Sequence, residues 1–387
     1  MTAQQQRATQ TYCIENGRIV TPQAVIDGGV RLTDGVITAV GPEVAGTDAE
    51  TVVDAAGHHV LPGLIDLHGD GIEGHLQPRN NTRIDTAMAL GTADRENLAA
   101  GITTKYHAIA FENDPEEGRT TELAGELTAA IENASSLLAD HRIHVRCEVT
   151  QEEAVEAAIR DVGREAVDMV SVMSHIPGKG QFEDVAAFKS YYKTSDRHTL
   201  AEAEEFIEKR TAISMETIRT RIDRVIEQAQ QDGIVTASHD DEDPNEVERL
   251  ASAGVDISEY PITLETAKRA TELGLTTVMG APNLVRGGSQ WGNLESATAI
   301  EAGVLDVLCA DYHPQSMLAA PFVDTDEPLA ARVARVTKNP ADAVGLTDRG
   351  RIETGARADL ILVEPEPTPT VSRAFVDGEP VYRAEAR

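Results

Sequence analysis

Six side chains with nitrogen or oxygen donors fall where apolar runs stop. His68 and Asp70 close the run in LPGLIDLHGD, Glu148 closes RIHVRCE, His175 closes DMVSVMSH, His239 closes GIVTASH and Asp311 closes VLDVLCAD. A strand alternates its side chains with period two, so His68 and Asp70 share one face. A single strand-end histidine is more often an ordinary hydrogen-bonded residue, but six donors at five run ends form a pattern. Imidazole with carboxylate suits Zn²⁺, Mn²⁺, Ni²⁺ or Fe²⁺. Several carboxylates also allow one to bridge two ions, as two-metal hydrolytic sites require. The expected cofactor is a divalent metal, two ions with zinc favoured.

The elements that must position these donors repeat along the middle of the chain. Short apolar runs near residues 60–68, 102–109, 143–149, 168–175, 233–239, 254–260, 275–280 and 304–310 alternate with helix-like stretches such as AGELTAAIENASSLLAD. Strand and helix in alternation call for a parallel sheet, and eight such units point to a (β/α)8 TIM-like barrel, whose sites lie at the carboxyl ends of the strands. Both ends of the chain read differently, as short alternating strands around Gly, Asn and Asp turns. The expected organisation is a small β domain made from residues 1–58 and 349–387, around a barrel of residues 59–348. The charged stretch 176–232 is long for one crossover. It reads as one or two helices behind an extra loop, either a solvated insertion or a lid over the site.

The chain has 387 residues, a formal net charge of −31 and only seven lysines. Such acidity argues against nucleic-acid and anionic-membrane partners. It fits a halophilic protein kept soluble at molar salt, where the Debye length is about 3 Å, or else an acidic enzyme of ordinary habitat. Cys13, Cys147 and Cys309 have no metal-like spacing, which suits a reducing compartment. The segment MTAQQQRATQTY lacks an apolar signal core, and no run approaches the roughly 20 residues of a membrane span. A cytoplasmic protein is expected.

Longer stretches carry a resemblance. HGD after a strand, RCEVT, MSHIPGKGQF, ASHDDE, SEYPITLETA, GAPNLVRGGSQWGN, ADYHPQSMLAA and VTKNPADAVGL, in this order, resemble the amidohydrolase superfamily. Within it they resemble the α-D-ribose 1-methylphosphonate 5-triphosphate diphosphatase family of the carbon–phosphorus lyase pathway, over residues 15 to 380. The resemblance implies a distorted barrel with a small β-sandwich from both termini. It implies hydrolysis of a phosphorylated ribose, a 5-triphosphate, to the 5-phosphate and pyrophosphate. By the same resemblance His68 and Asp70 hold one metal, Glu148 bridges, His175 and His239 complete the second site, and Asp311, beside the ions, takes a proton from water.

A triphosphate approaching so acidic a chain needs local cations. In this context Arg286, Gly287, Gly288 and Ser289 read as a phosphate loop, where in isolation RGGS would read as a plain glycine turn. Arg79 and Lys179 follow other strand ends, and His75 lies close to the first motif. Arg146 shares its face with Glu148, so it points inward and needs a carboxylate or phosphate partner. His107 and His313 lie near strand ends, with a structural role favoured for His107. His58, His59, His141, His144 and His198 read as structural or exposed.

The chain departs from the family at Gly69 and Gly71, where a Thr and an Asn are usual, at Gly74, where a Lys is common, and at Gln290 and Trp291, where His-Ser is usual. These changes spare the proposed ligands and bear on the substrate. Two other functions stay open: hydrolysis of a C–N bond by the same centre, and a non-catalytic metal-binding scaffold in a phosphonate-processing complex. Acidic barrel enzymes often associate, so a homo-oligomer is open too.

Overall fold

The computed structural model describes residues 10–46, 50–79, 82–114, 118–176, 210, 212–289 and 292–385. Lys179, His198, Gln290, Trp291 and most of the 176–232 stretch lie outside the described residues. The chain opens with β1 (Thr11–Val20), β2 (Val25–Thr33), β3 (Val36–Gly41), β4 (Thr51–Asp54) and β5 (His59–Pro62). The barrel strands follow: β6 (Leu64–Gly69), β7 (Ile102–Phe111), β8 (Asp140–Glu148), β9 (Val167–Met173), β10 (Val235–His239), β11 (Ile257–Glu259), β12 (Thr276–Gly280) and β13 (Val307–Cys309). β14 (Leu360–Glu364), β15 (Thr370–Val376) and β16 (Glu379–Arg383) end the chain.

Both termini meet in one mixed sheet of order β16-β15-β14-β5-β1-β2-β3, with β4 paired to β1. Its apolar side is closed by Ile14, Ile19, Val30, Leu32, Val60, Leu360 and Phe375. The run expected over 60–68 is divided between the two units. β5 pairs with β1 and β14, and β6 pairs with β7. Gly63 makes the crossing because a Cβ there would come within 2.0 Å of Thr103 Oγ1.

β6 to β13 run parallel in chain order, as the alternating pattern predicts. Outside them pack helices such as Thr121–Glu132, Glu152–Val162 and Met215–Asp232. The last begins with the Ser214 side chain accepting from Thr217 N–H and ends at Gly233 in the left-handed region, as capping chemistry predicts. It lays Ile218, Ile222, Val225 and Ile226, spaced for one helical face, into the main apolar cluster. No helix among the described residues is long and apolar enough to cross a membrane.

The barrel is nearly closed by a seam between its first and last strands. Asp311 N–H donates to His68 O at 2.8 Å, and Asp70 N–H donates to Asp311 O at 3.0 Å. The backbone that shuts the barrel is therefore the backbone that carries three of the six candidate donors.

Candidate active site

The site grows from the carboxyl ends of the strands. His68 leaves β6 almost fully buried. Its Nδ1 donates to Glu259 Oε1 at 3.1 Å, and its Nε2 faces Asp70 Oδ1 at 3.2 Å. His239, at the end of β10, donates from Nδ1 to the other oxygen of Glu259 at 3.3 Å. One buried carboxylate on β11 thus fixes the tautomer of two imidazoles, whose rings stack with centroids 5.4 Å apart. Each turns Nε2 to the other side, that of His68 toward Asp70, the arrangement in which a carboxylate behind a histidine orients it toward a metal.

Glu148, at the end of β8, is fully buried. Its Oε1 accepts from Thr150 N–H at 3.1 Å, and its Oε2 accepts from His175 Nδ1 at 2.8 Å. Arg210 approaches the same oxygen at 3.6 Å. His175, Glu148 and Glu112 come together within metal-binding reach, as do His175, His239 and Asp240, and His68, His144 and Glu259. The third group loses a member to ordinary bonding. His144 donates from Nδ1 to Leu67 O and accepts at Nε2 from Ser171 Oγ, so neither nitrogen is left for an ion.

Titration follows from these neighbours. Burial works against a charge on His68, but Glu259 and Asp70 outweigh it and hold the imidazolium up at about 10. Burial would raise Glu148 too, yet Arg210 and His175 draw it down to about 2. Asp70 is held well below the usual carboxylate range, burial being overcome by Arg146 and His68. Asp311 behaves in the opposite way, with burial and then the negative Asp70 pushing it up to about 6. His144 falls to about 4, chiefly through burial.

Three residues at the strand ends, Asp240, Tyr260 and Asp311, have φ of 56°, 53° and 54°. Left-handed backbone is tolerated by Asp and is uncommon for a bulky residue. Each follows a barrel strand closely and turns the chain sharply at the mouth. Tyr260 packs edge-on to His68 and His239, with its hydroxyl 3.0 Å from Cys309 Sγ.

The structure gathers His68, Asp70, Glu148, His175 and His239 at one end of the barrel, with Asp311 joined to His68 and Asp70 through the seam. The remaining candidates are more spread. His75 pairs with Glu96 at 2.8 Å, and Arg79 is exposed. Arg286 donates to Tyr312 OH at 3.2 Å. The N–H groups of Gly287 and Gly288 are bonded to Leu284 O and Asn283 O, closing the helix Ala281–Arg286, and Ser289 Oγ accepts from Asn293 N–H. His107 bonds His141 at 2.7 Å, which in turn bonds Asp94, a structural chain outside the donor set.

Three residues escaped the sequence reading. Glu259 obeys the same strand-end rule as the others, in ISEYP, and was open to the same argument. Asp66 and Lys105 had no such signal, being charges inside apolar runs. They form a fully buried ion pair, and Asp66 also accepts from His68 N–H and Ala310 N–H. This pair explains Gly69, because a Cβ there would come within 1.7 Å of Lys105 Nζ. A threonine at this position, usual in the resembling family, would require Lys105 and Asp66 to shift.

Three comparisons place the chain among known proteins. A model of the amidohydrolase family matches residues 59–382. The α-D-ribose 1-methylphosphonate 5-triphosphate diphosphatase of Escherichia coli K12 is 33% identical over 357 residues, covering 90% of this chain and 94% of that one. The dihydroorotase of Halobacterium salinarum is 26% identical over 90% of this chain and 87% of its own. Among solved structures, the dihydropyrimidinase of Brevibacillus agri superposes over 97% of this chain and 95% of that chain, with a TM-score of 0.66 at 14% identity. With a family match that spans the whole barrel, this chain belongs to the amidohydrolase family.

Proposed function

We propose that the chain is a metal-dependent hydrolase that cleaves α-D-ribose 1-methylphosphonate 5-triphosphate, or a close analogue, to the 5-phosphate and pyrophosphate. The observation that carries this reading is the end-to-end likeness to a diphosphatase of that substrate. The donor set agrees with it. His68 and Asp70 would hold one divalent ion and His175 and His239 a second, with Glu148 between them. Two histidines held through Nδ1 by Glu259, with Nε2 turned to the other side and carboxylates alongside, are the donors that Zn²⁺ and its neighbours prefer. The ions would supply charge neutralisation and an acidified water at neutral pH.

The chain's own residues do the rest. Asp311, pushed up to about 6, is ionised at neutral pH and still basic enough to take a proton from water and return it to the leaving group. Glu259 keeps the two imidazoles aligned. His68 and Glu148 are buried, while Asp70, His175, His239 and Asp311 are half-buried, so the donor set opens toward the mouth on one side only. Arg286, Ser289 and Arg79 would meet the phosphates, and Lys179, outside the described residues, remains a further candidate from the sequence. The decisive assay measures pyrophosphate release from the ribose triphosphate, with wild type active and Asp311→Asn inactive. Relatives in the family act on C–N bonds, so ammonia and carboxylate release from amides is assayed in parallel. Equal rates for wild type and Asp311→Asn would instead mark a binding scaffold.

A further inference from the structure

We propose that Arg146 is the buried anchor for the substrate's phosphate chain, held against the metal donor Asp70. This rests on the triphosphate reading above and adds the residue that receives the anion. β8 presents His144, Arg146 and Glu148 on one face, so the guanidinium lies inside the donor set. Arg146 is 6% exposed, and its Nη1 donates to Asp70 Oδ1 at 2.9 Å. That same oxygen stands 3.2 Å from His68 Nε2. One carboxylate oxygen therefore separates a fixed cation from a nitrogen meant for a metal.

Burial works against its charge, but the carboxylates of Asp70, Glu112 and Glu259 outweigh burial and keep this guanidinium firmly charged. It repels any dication nearby, and its charge is felt at Asp311, His239 and Glu73. Its bond to Asp70 uses one of five N–H donors, and its Nε is buried without a hydrogen-bond partner among the described residues. Leaving a buried donor unmet is costly. Both costs are offset if an anion with several oxygens docks there, and a planar fork matches phosphate geometry. Arg119, close enough for its charge to oppose that of Arg146, also acts on Asp70 and Glu73. The glycine loop supplies less than its sequence suggests, because the Gly287 and Gly288 amides are already bonded.

The test titrates inorganic pyrophosphate and Zn²⁺ separately into wild type, Arg146→Gln, Arg146→Lys and Asp70→Asn by calorimetry. In Arg146→Gln, pyrophosphate affinity should fall by at least about tenfold while Zn²⁺ affinity holds or rises, since a repelling charge has gone. In Asp70→Asn the effects should reverse, with Zn²⁺ lost and pyrophosphate retained. Arg146→Lys, which keeps the charge and loses the fork, should fall between wild type and Arg146→Gln for pyrophosphate. It decides the matter if the glutamine variant fails to fold. Wild-type pyrophosphate affinity in the Arg146 variants overturns the proposal. So does a parallel loss of both ligands, which would make Arg146 a mere prop for Asp70. If wild type releases no pyrophosphate from the ribose triphosphate, the diphosphatase reading fails, while the titration still decides Arg146.

Discussion

The two ends of the barrel solve the same problem, burying charge, with different chemistry. At the amino end, three arginines face four aspartates. Arg142 bonds Asp168 at 3.0 Å and Asp140 at 3.2 Å, Arg349 bonds Asp348 at 2.9 Å, and Arg357 lies 3.0 Å from Asp359. Arg349 also reaches Asp140 across the boundary between the last segment and the barrel. At the carboxyl end the carboxylates Glu259 and Glu148 meet imidazoles. Guanidinium is always charged and has no lone pair, so its bond to a carboxylate is final. Imidazole gives one nitrogen to the carboxylate and keeps the other for a ligand. The first end is a clamp; the second keeps imidazole nitrogens open for a ligand and sets Arg146 and Arg210 among its carboxylates.

The sharpest way to break this contrast is to mutate one residue at each end. Asp311→Asn should lower kcat by about 10²–10⁴-fold and leave the melting temperature nearly unchanged. Arg349→Met should do the reverse, costing about 1–3 kcal/mol of stability by leaving the half-buried Asp140 and the buried Asp359 each short of a partner, with kcat of the folded fraction retained. Urea melts and steady-state kinetics on both variants decide it, and a single pattern shared by both would erase the distinction. Glu259→Gln comes next. It keeps the shape but weakens the alignment of His68 and His239, so metal affinity should drop about 10–100-fold, read by competition with a chelating dye.

Removing metal with a chelator should lower stability by about 2.7 kcal/mol when the working concentration is 100 times Kd, and the chain should stay folded because its amino end is untouched. Circular dichroism melts before and after dialysis measure this. The smallest effect concerns pH. Asp311 works ionised and its carboxyl is raised to about 6, so kcat/KM should decline as pH falls through that value. An unshifted carboxylate would hold the rate down to about pH 4.

Much of this contrast could be read in the chain, and unevenly. All eight barrel strands were visible as apolar runs, each within four residues of the observed bounds. Parallel strands are buried on both faces and so are written in continuous hydrophobic letters. The donors were visible because each breaks such a run. Glu259 was passed over because its strand is three residues long and was read past its end, into Tyr260. Asp66 and Lys105 were hidden for another reason. Each is a charge within a buried strand, and their pairing joins two strands whose register no local pattern reveals. The inward aim of Arg146 followed from parity with Glu148, and its partner, Asp70, emerged only from the fold. The amino-end clamp was unreadable, since its members come from segments far apart in the chain.

The seam holds a lesson about time. A ribosome releases His68 and Asp70 early and Asp311 only after more than half the protein has followed. Until that last strand arrives, the growing polypeptide carries unfinished machinery, with His68 O lacking its N–H donor from Asp311. Shape and competence are thus completed in a single stroke, and a chain cut short before Asp311 would lose both together.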